Sequence, residues 1–120
     1  MEASILNTIR SLLGVGDDTS FDPELILHIN LAISSLNSLA FDLPFAITGE
    51  TEVWSDYLPA EFEEVLGMVQ SFIHLKVKKL FDPTASSVLN GAIDTLISEW
   101  EVRLKSFADT YNYTFEEAQV

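Results

Sequence analysis

Hydrophobic residues recur at helical spacing in four stretches of the chain, and proline, glycine and acidic residues separate these stretches. The first stretch runs from about Ser4 to Leu13 and stops at Gly14, because glycine readily ends a helix. The second opens at Asp22 and Pro23, which suit the N-cap and the first helical position. The pattern therefore predicts two helices joined by an acidic turn.

Two further helices are predicted in the second half of the chain. The third begins after Pro59 with acids in its first turns and runs through Phe81, where lysines collect. Apolar spacing after the Asp82-Pro83 turn predicts a fourth helix that ends near Phe107. Residues 108–120 carry no helical apolar stripe, so we expect a C-terminal tail that either docks on a partner or frays. The chain is thus divided into a helical domain, 1–107, and this tail, 108–120.

The segment from Phe41 to Pro59 breaks the helical pattern but is too apolar for a solvated linker. Its apolar residues alternate around Gly49-Glu50, which favours a short β-hairpin, and an ordered loop is the alternative. In either form the segment must pack against another surface, of this chain or of a partner. The predicted fold class is therefore all-α: a four-helix domain with an irregular apolar loop or short β-hairpin between helices 2 and 3.

Apolar side chains outside the core stripes indicate contacts with other proteins. Leu27 and Leu31 lie off the main face of the second helix, and Leu75 lies off that of the third. A helix that is apolar on a second side is either central in a bundle or covered by another subunit. Trp54 and Tyr57 lie in the irregular segment, and these residue types are enriched at protein–protein contacts. The alternative for Trp54 is that it closes one end of the core.

The charge of the chain is strongly negative and unevenly placed. Six Lys and Arg residues stand against nineteen Asp and Glu residues, for a formal net charge of −13. No Lys or Arg lies between Arg10 and Lys76, a stretch that holds eleven acids. Such a surface disfavours sequence-independent DNA binding, because it repels phosphates. The hydrophobic content of 48% excludes a disordered acidic protein.

Residues suited to catalysis or metal binding are scarce. The chain has no cysteine, which excludes disulfides, cysteine-based zinc sites and cysteine nucleophiles. His28 and His74 each lie in the middle of a predicted helix and belong to no metal-ligand motif. Neither a Gly-x-Ser-x-Gly motif nor a phosphate-cradling glycine loop occurs. We therefore expect no enzymatic activity, no catalytic, cofactor-binding or metal-binding residues, no cofactor and no membrane-spanning segment.

Several short motifs occur in an order that is typical of a known family. They are Ser11-Leu12-Leu13-Gly14, Ile26-Leu27-His28-Ile29-Asn30, Trp54-Ser55-Asp56, Leu75-Lys76-Val77-Lys78-Lys79-Leu80-Phe81-Asp82-Pro83 and Glu99-Trp100-Glu101-Val102-Arg103-Leu104. Over most of its length the chain resembles the small helical phage head–tail connector (adaptor) proteins that dock beneath the portal. It departs from them where members often carry two prolines, because Pro83 stands alone here.

The resemblance implies a structural virion protein that is made in the cytoplasm of the bacterial host and located at the head–tail interface. Family members form a ring, dodecameric when assembled, between the portal and the tail or stopper, and genome DNA passes through its lumen without specific binding. The Trp54 region is implied to contact neighbouring subunits or the next ring, and the fourth helix with its extension is implied to reach the portal. The candidate subunit or partner interface consists of Phe45, Ile47, Trp54, Tyr57, Lys76, Lys78, Lys79, Trp100 and Arg103.

A cyclic ring requires two different, complementary faces on each copy. We expect the acid-only segment, 11–75, of one copy to meet the basic cluster of Lys76, Lys78 and Lys79 on the next. The alternative function is an acidic DNA mimic that inhibits a nucleic-acid-binding enzyme. The near absence of acids from the second helix after Glu24 weighs against mimicry. A small hydrolase is disfavoured, because the chain lacks a candidate nucleophile–base pair.

Overall fold

The computed structural model describes residues 3–82 and 86–119, and most of these residues are helical. The side chains of Ala40 and of residues 111–119 are not described. The all-α fold class is confirmed. Four of the helices correspond to the predicted ones, and a fifth, one-turn helix lies within the segment that was expected to be a loop or hairpin. The α-helices are α1 (Ile5–Leu13), α2 (Asp22–Leu36), α3 (Trp54–Tyr57), α4 (Leu66–Phe81) and α5 (Ser87–Gln119).

Local capping chemistry sets both ends of α1. The N–H of Asn7 donates to Ser4 Oγ at 3.0 Å, so Ser4 serves as the N-cap. Gly14 follows the last helical residue with a φ of 80°, a left-handed conformation that only glycine adopts without strain. The predicted glycine stop is therefore confirmed.

Helix α2 begins differently from its prediction. The residue at its N-cap is Phe21, and Asp22 lies inside the first turn, where its carboxylate faces Arg10 instead of capping the backbone. At the other end, α2 passes into a π-helical turn at Asn37–Phe41, which stops at Asp42 with a φ of 48°. A non-glycine residue in this left-handed region turns the chain sharply away from α2.

Residues 42–53 form an irregular loop, here called the crossing loop. No strand occurs within residues 3–82 or 86–119, so the hairpin alternative is not formed there. One isolated antiparallel bridge joins Ser4 to Val53, and the N–H of Ile5 donates to the carbonyl oxygen of Glu52 at 3.0 Å. These contacts attach the end of the crossing loop to the start of α1.

The third and fourth predicted helices both differ from expectation at one end. The third begins as a 3₁₀ turn at Ala60–Val65 and becomes α-helical only at Leu66. The fourth, α5, continues past Phe107 to Gln119, so residues 108–119 extend the helix. The division into 1–107 and 108–120 stays a prediction, and the predicted turn at Pro83 lies outside the described residues.

Helices α2 and α4 form the centre of the fold, with α1 packed against both and α5 packed along α4. The apolar stripes of these four helices meet in one core. Phe72 of α4 is the largest fully buried side chain, and Leu104 of α5 is also fully buried. Leu75, which the sequence pattern places off the main face, is half-buried at the edge of this core. Each fully buried side chain of this size contributes about 1.5–3 kcal/mol, so the shared core holds the helices together.

Helix α5 spans the whole molecule. Its 33 residues, at about 1.5 Å each, extend about 50 Å, which equals the longest dimension of the protein, 50 Å. Helix α4, with 16 residues, is about half as long. Helix α5 therefore runs well beyond the helix on which it packs.

Candidate interaction surface

The guanidinium of Arg10 joins three parts of the chain. Arg10 lies in the last turn of α1, and only 3% of its side chain is exposed. Its Nε lies 3.2 Å from Asp22 Oδ1 at the start of α2, and its Nη2 pairs with the carboxylate of Glu50 in the crossing loop. A buried guanidinium requires such partners, because removing an unpaired charge from water is very costly. Arg10 follows Leu6 by four residues and so lies on the same side of α1, a signal that the sequence analysis missed.

Asn30 holds the crossing loop against α2 with two hydrogen bonds to one residue. Its Nδ2 donates to the carbonyl oxygen of Ile47 at 3.0 Å, and its Oδ1 accepts from the N–H of Ile47 at 2.8 Å. The side-chain amide thus satisfies both backbone polar groups of a residue whose side chain is buried. Asn30 therefore determines where the middle of the crossing loop lies.

Replacing Asn30 with alanine is expected to lower the free energy of unfolding by about 1–3 kcal/mol, because both backbone groups of Ile47 lose their partner. Urea denaturation followed by circular dichroism measures the change. The matched control is Asn7→Ala on the exposed side of α1, which we expect to change stability by less than about 0.5 kcal/mol. Equal losses in the two variants would contradict the role of Asn30.

Two aromatic side chains of α3 are also fixed by hydrogen bonds inside the domain. The hydroxyl of Tyr57 donates to Asn37 Oδ1 at 2.6 Å, and Asn37 Nδ2 donates to the carbonyl oxygen of Leu43 at 2.5 Å. The indole Nε1 of Trp54 donates to Thr8 Oγ1 at 3.0 Å. Burial raises the pKa of Tyr57 far above its usual value, so the phenol remains a proton donor at neutral pH.

The turn before α3 is closed by the carboxylate of Glu52. It accepts from the hydroxyl and the N–H of Thr48 at 2.8 and 3.0 Å. These bonds, the hydroxyl's above all, lower the pKa of Glu52 and keep it ionised at neutral pH. The N–H of Val53 in turn donates to Asp56 Oδ2 at 2.9 Å, which starts α3. The carboxylates of Glu52 and Asp56 therefore fix the turn before α3 and the start of that helix.

Three of the predicted interface residues are core residues in this structure. Ile47, Trp54 and Tyr57 are buried, so they present no exposed surface to a neighbouring molecule. Phe45 is half-buried, and its ring centroid lies 5.0 Å from that of Tyr57. The structure thus favours the alternative for Trp54, a side chain that closes the core. A contact between Phe45 and a partner stays a prediction.

Each lysine of the predicted basic cluster has an acidic partner in its own chain. Lys76 Nζ lies 3.9 Å from Glu101 Oε1, and Lys79 Nζ pairs with Asp94, so both lysines connect α4 to α5. Lys78 pairs at 3.6 Å with the acid four residues later. An acidic face of another copy would have to displace these partners, and that pairing between copies stays a prediction.

The remaining two candidate residues lie together on α5. The guanidinium carbon of Arg103 lies 5.6 Å from the ring centroid of Trp100, within reach of a cation–π interaction, and Arg103 Nη2 lies 3.1 Å from Glu99 Oε1. Trp100 is half-buried, and its Nε1 is shielded from water without a hydrogen-bond partner among the described residues. Arg103 is exposed, so this pair is accessible from outside.

Large apolar side chains remain exposed on α2, α4 and α5. Leu27 and Leu31 are 57% and 51% exposed, which agrees with the prediction that α2 is apolar on a second side. Leu80 keeps the apolar spacing of α4 but lies in the last turn of that helix and is 57% exposed. Leu89 and Leu96 keep the apolar spacing of α5 and are exposed as well, as are Val88 and Val102.

Most acids of the cation-free stretch remain unpaired. Arg10 pairs with two of the eleven, and Glu24 Oε1 lies 3.4 Å from His28 Nε2. Within the described part of the chain no cation pairs with the other eight, which are Asp17, Asp18, Asp42, Glu52, Asp56, Glu61, Glu63 and Glu64. The surface formed by residues 11–75 is therefore strongly anionic in sum.

The described residues contain no group of three or more histidine, aspartate or glutamate side chains able to hold a metal ion. His74 is half-buried, and burial together with the charge of Lys78 lowers its pKa, against an opposing hydrogen bond to the backbone of Leu12. No helix in residues 3–82 or 86–119 has the length and apolar character needed to cross a membrane.

These features define a small, acidic, all-α protein whose exposed apolar side chains are suited to binding other proteins. The family model described as phage connector protein matches residues 5–111, so the chain belongs to this family. The expected resemblance is therefore confirmed. Membership indicates a structural role in the virion, in association with other phage structural proteins. Comparison with curated proteins and with solved structures found no match.

Proposed function

We propose that this protein assembles into a ring between the portal and the tail or stopper, where it joins the head to the tail and lines the channel through which DNA leaves. Family membership supports the connecting role. The observation that carries the channel-lining role is the set of eight acids without a cation partner among the described residues. The protein thus has a structural function and catalyses no reaction.

Unpaired acids suit a surface along which DNA slides. Binding to duplex DNA is driven largely by cations that displace the counterions of the phosphates. Arg10 is buried, and the three lysines of α4 face acids of their own chain. A wall of this kind repels the duplex at every position equally, so it does not trap the DNA at any one place.

Negative-stain electron microscopy of the protein alone and mixed with its portal tests the proposal. We expect rings, or portals that carry an additional ring of density compared with the portal alone. Retention of duplex DNA on the immobilised protein is measured in parallel, and we expect none even at about 50 mM salt, where electrostatic binding is much stronger than at physiological salt.

Two results would contradict the proposal. Portals that remain uncapped at every protein concentration would exclude the connecting role. An uncapped portal combined with stoichiometric inhibition of a nucleic-acid-binding enzyme would establish the DNA mimic instead. A chain that is monomeric alone but forms rings on the portal agrees with the proposal, because docking can drive assembly.

A further inference from the structure

A groove lies between α2 and α4, on the side of α4 that also faces α5. Its volume is about 220 Å³, and its apolar part is formed by Leu31, Ala32 and Leu80. Leu27 lies one helical turn before Leu31 and is also exposed. The groove therefore continues into an apolar strip along α2 that no described residue covers.

The polar rim of the groove distinguishes it from the rest of the surface. Lys76 and Lys79 line it, and their acidic partners on α5 leave this rim close to neutral. His28 also lines it, and the Nδ1 atom of that residue is shielded from water without a hydrogen-bond partner among the described residues. The groove thus offers apolar area with two lysines at its rim, without the unpaired acids found elsewhere.

We propose that this groove receives the C-terminal end of α5, residues 111–119, from a neighbouring copy of the chain. The inference rests on the proposed self-assembly and names the contact that produces it. After Lys105 the sequence has no cation, and it combines the aromatic residues Tyr111, Tyr113 and Phe115 with the acids Asp109, Glu116 and Glu117.

Charge and chemistry both favour this occupant. An acidic segment is repelled by the anionic surface described above, and the groove is a place where its aromatic rings can be buried without meeting unpaired acids. The rim lysines can exchange their present acids for those of the incoming segment.

Geometry places the occupant in another copy. Asp94 and Glu101 pair with the rim lysines and so mark the level of the groove along α5. At about 1.5 Å per residue, residues 111–119 lie about 15–38 Å farther along the same helix. The end of α5 therefore cannot reach the groove of its own chain while the helix is intact. Because groove and helix end are different surfaces, the contact is head to tail and can close into a ring.

Disulfide trapping tests the contact directly, because the chain has no cysteine to cause background. The full chain carrying Leu80→Cys and Phe115→Cys is oxidised, free and bound to its portal, and analysed by non-reducing electrophoresis. We expect a ladder of dimers and higher oligomers, with about tenfold more cross-linked protein than in the control, because docking raises the local thiol concentration. The matched control combines Val102→Cys with Phe115→Cys, since Val102 is exposed on α5 and does not line the groove.

A second variant checks the groove itself. Adding Leu31→Asp to the Leu80→Cys and Phe115→Cys chain is expected to return cross-linking to the control level, while circular dichroism shows an unchanged fold because Leu31 is exposed. Cross-linking no greater than the control, or cross-linking of the Phe115→Cys site to the portal instead, would overturn the inference. If rings form without this cross-link, the inference fails and the proposed function stands. If neither rings nor capped portals form, the proposed function fails whatever the cross-linking result.

Discussion

Replacing both carboxylates around Arg10, with Asp22→Asn and Glu50→Gln in one chain, is expected to lower the free energy of unfolding by about 3–5 kcal/mol. The guanidinium is 3% exposed and would remain buried without a counter-charge. Isosteric amides keep the volume and much of the hydrogen-bonding capacity, so the loss reports the missing charge. Urea denaturation at neutral pH measures it, and a loss of this size is a large part of the stability of a domain of this length.

Two further variants serve as controls for the ion pairs of Arg10. Adding Arg10→Met to the double variant is expected to recover most of the loss, because the buried charge is then gone and the methionine fills much of its space. Glu99→Gln, which removes the exposed partner of Arg103, is expected to cost less than about 0.5 kcal/mol. A double variant as stable as the original chain would show that Arg10 finds other partners or reaches water.

Replacing Trp54 with alanine is expected to cost about 3–5 kcal/mol, through the loss of a buried indole and the cavity that remains. The hydrogen bond from its Nε1 to Thr8 is lost as well. Thermal and urea denaturation measure the effect, and Trp54→Phe, which keeps most of the buried area, is expected to lose less. The same measurements on Leu31→Ala, at an exposed position, should show a change below about 0.5 kcal/mol.

The Trp54 comparison also separates a core residue from an interface residue. If Trp54→Ala leaves the stability unchanged but abolishes assembly, then Trp54 acts at a contact between molecules. Its side chain would then be accessible, rather than buried, in the free monomer. If stability falls while Leu31→Asp affects only assembly, the two residues have the separate roles that their burial indicates. Both variants are compared at a temperature where circular dichroism shows them folded.

The helices were predictable because their signals are local. Apolar spacing defines each stripe, and Gly14 ends α1 through its own backbone freedom. The start of α2 was assigned wrongly because Asp22, a good N-cap by residue type, is drawn to Arg10 by a tertiary ion pair. Helical periodicity does not show where the neighbouring helix ends, so Leu80 and Leu89 keep the apolar spacing of their helices and are nevertheless exposed.

The residues that fix the crossing loop were harder to predict, because their partners are distant in sequence. Arg10 and Glu50 are forty residues apart, and Asn30 and Ile47 are seventeen apart. No spacing rule connects such pairs, and an asparagine inside a helix has no distinctive sequence signal. The apolar character of the segment was recognised correctly, but the sequence alone did not distinguish burial inside the chain from burial against a partner.

The way the crossing loop is attached has a consequence for the order of folding. Its anchors are Asn30 on α2, Arg10 at the end of α1 and, through α3, Thr8 on α1, and these side chains are in place only once both helices have formed and met. We therefore expect the loop and α3 to open before the centres of the core helices. Amide hydrogens such as that of Ile47 should then exchange through a partial opening that leaves the centres of α2 and α4 protected, the behaviour expected of a separate cooperative unit.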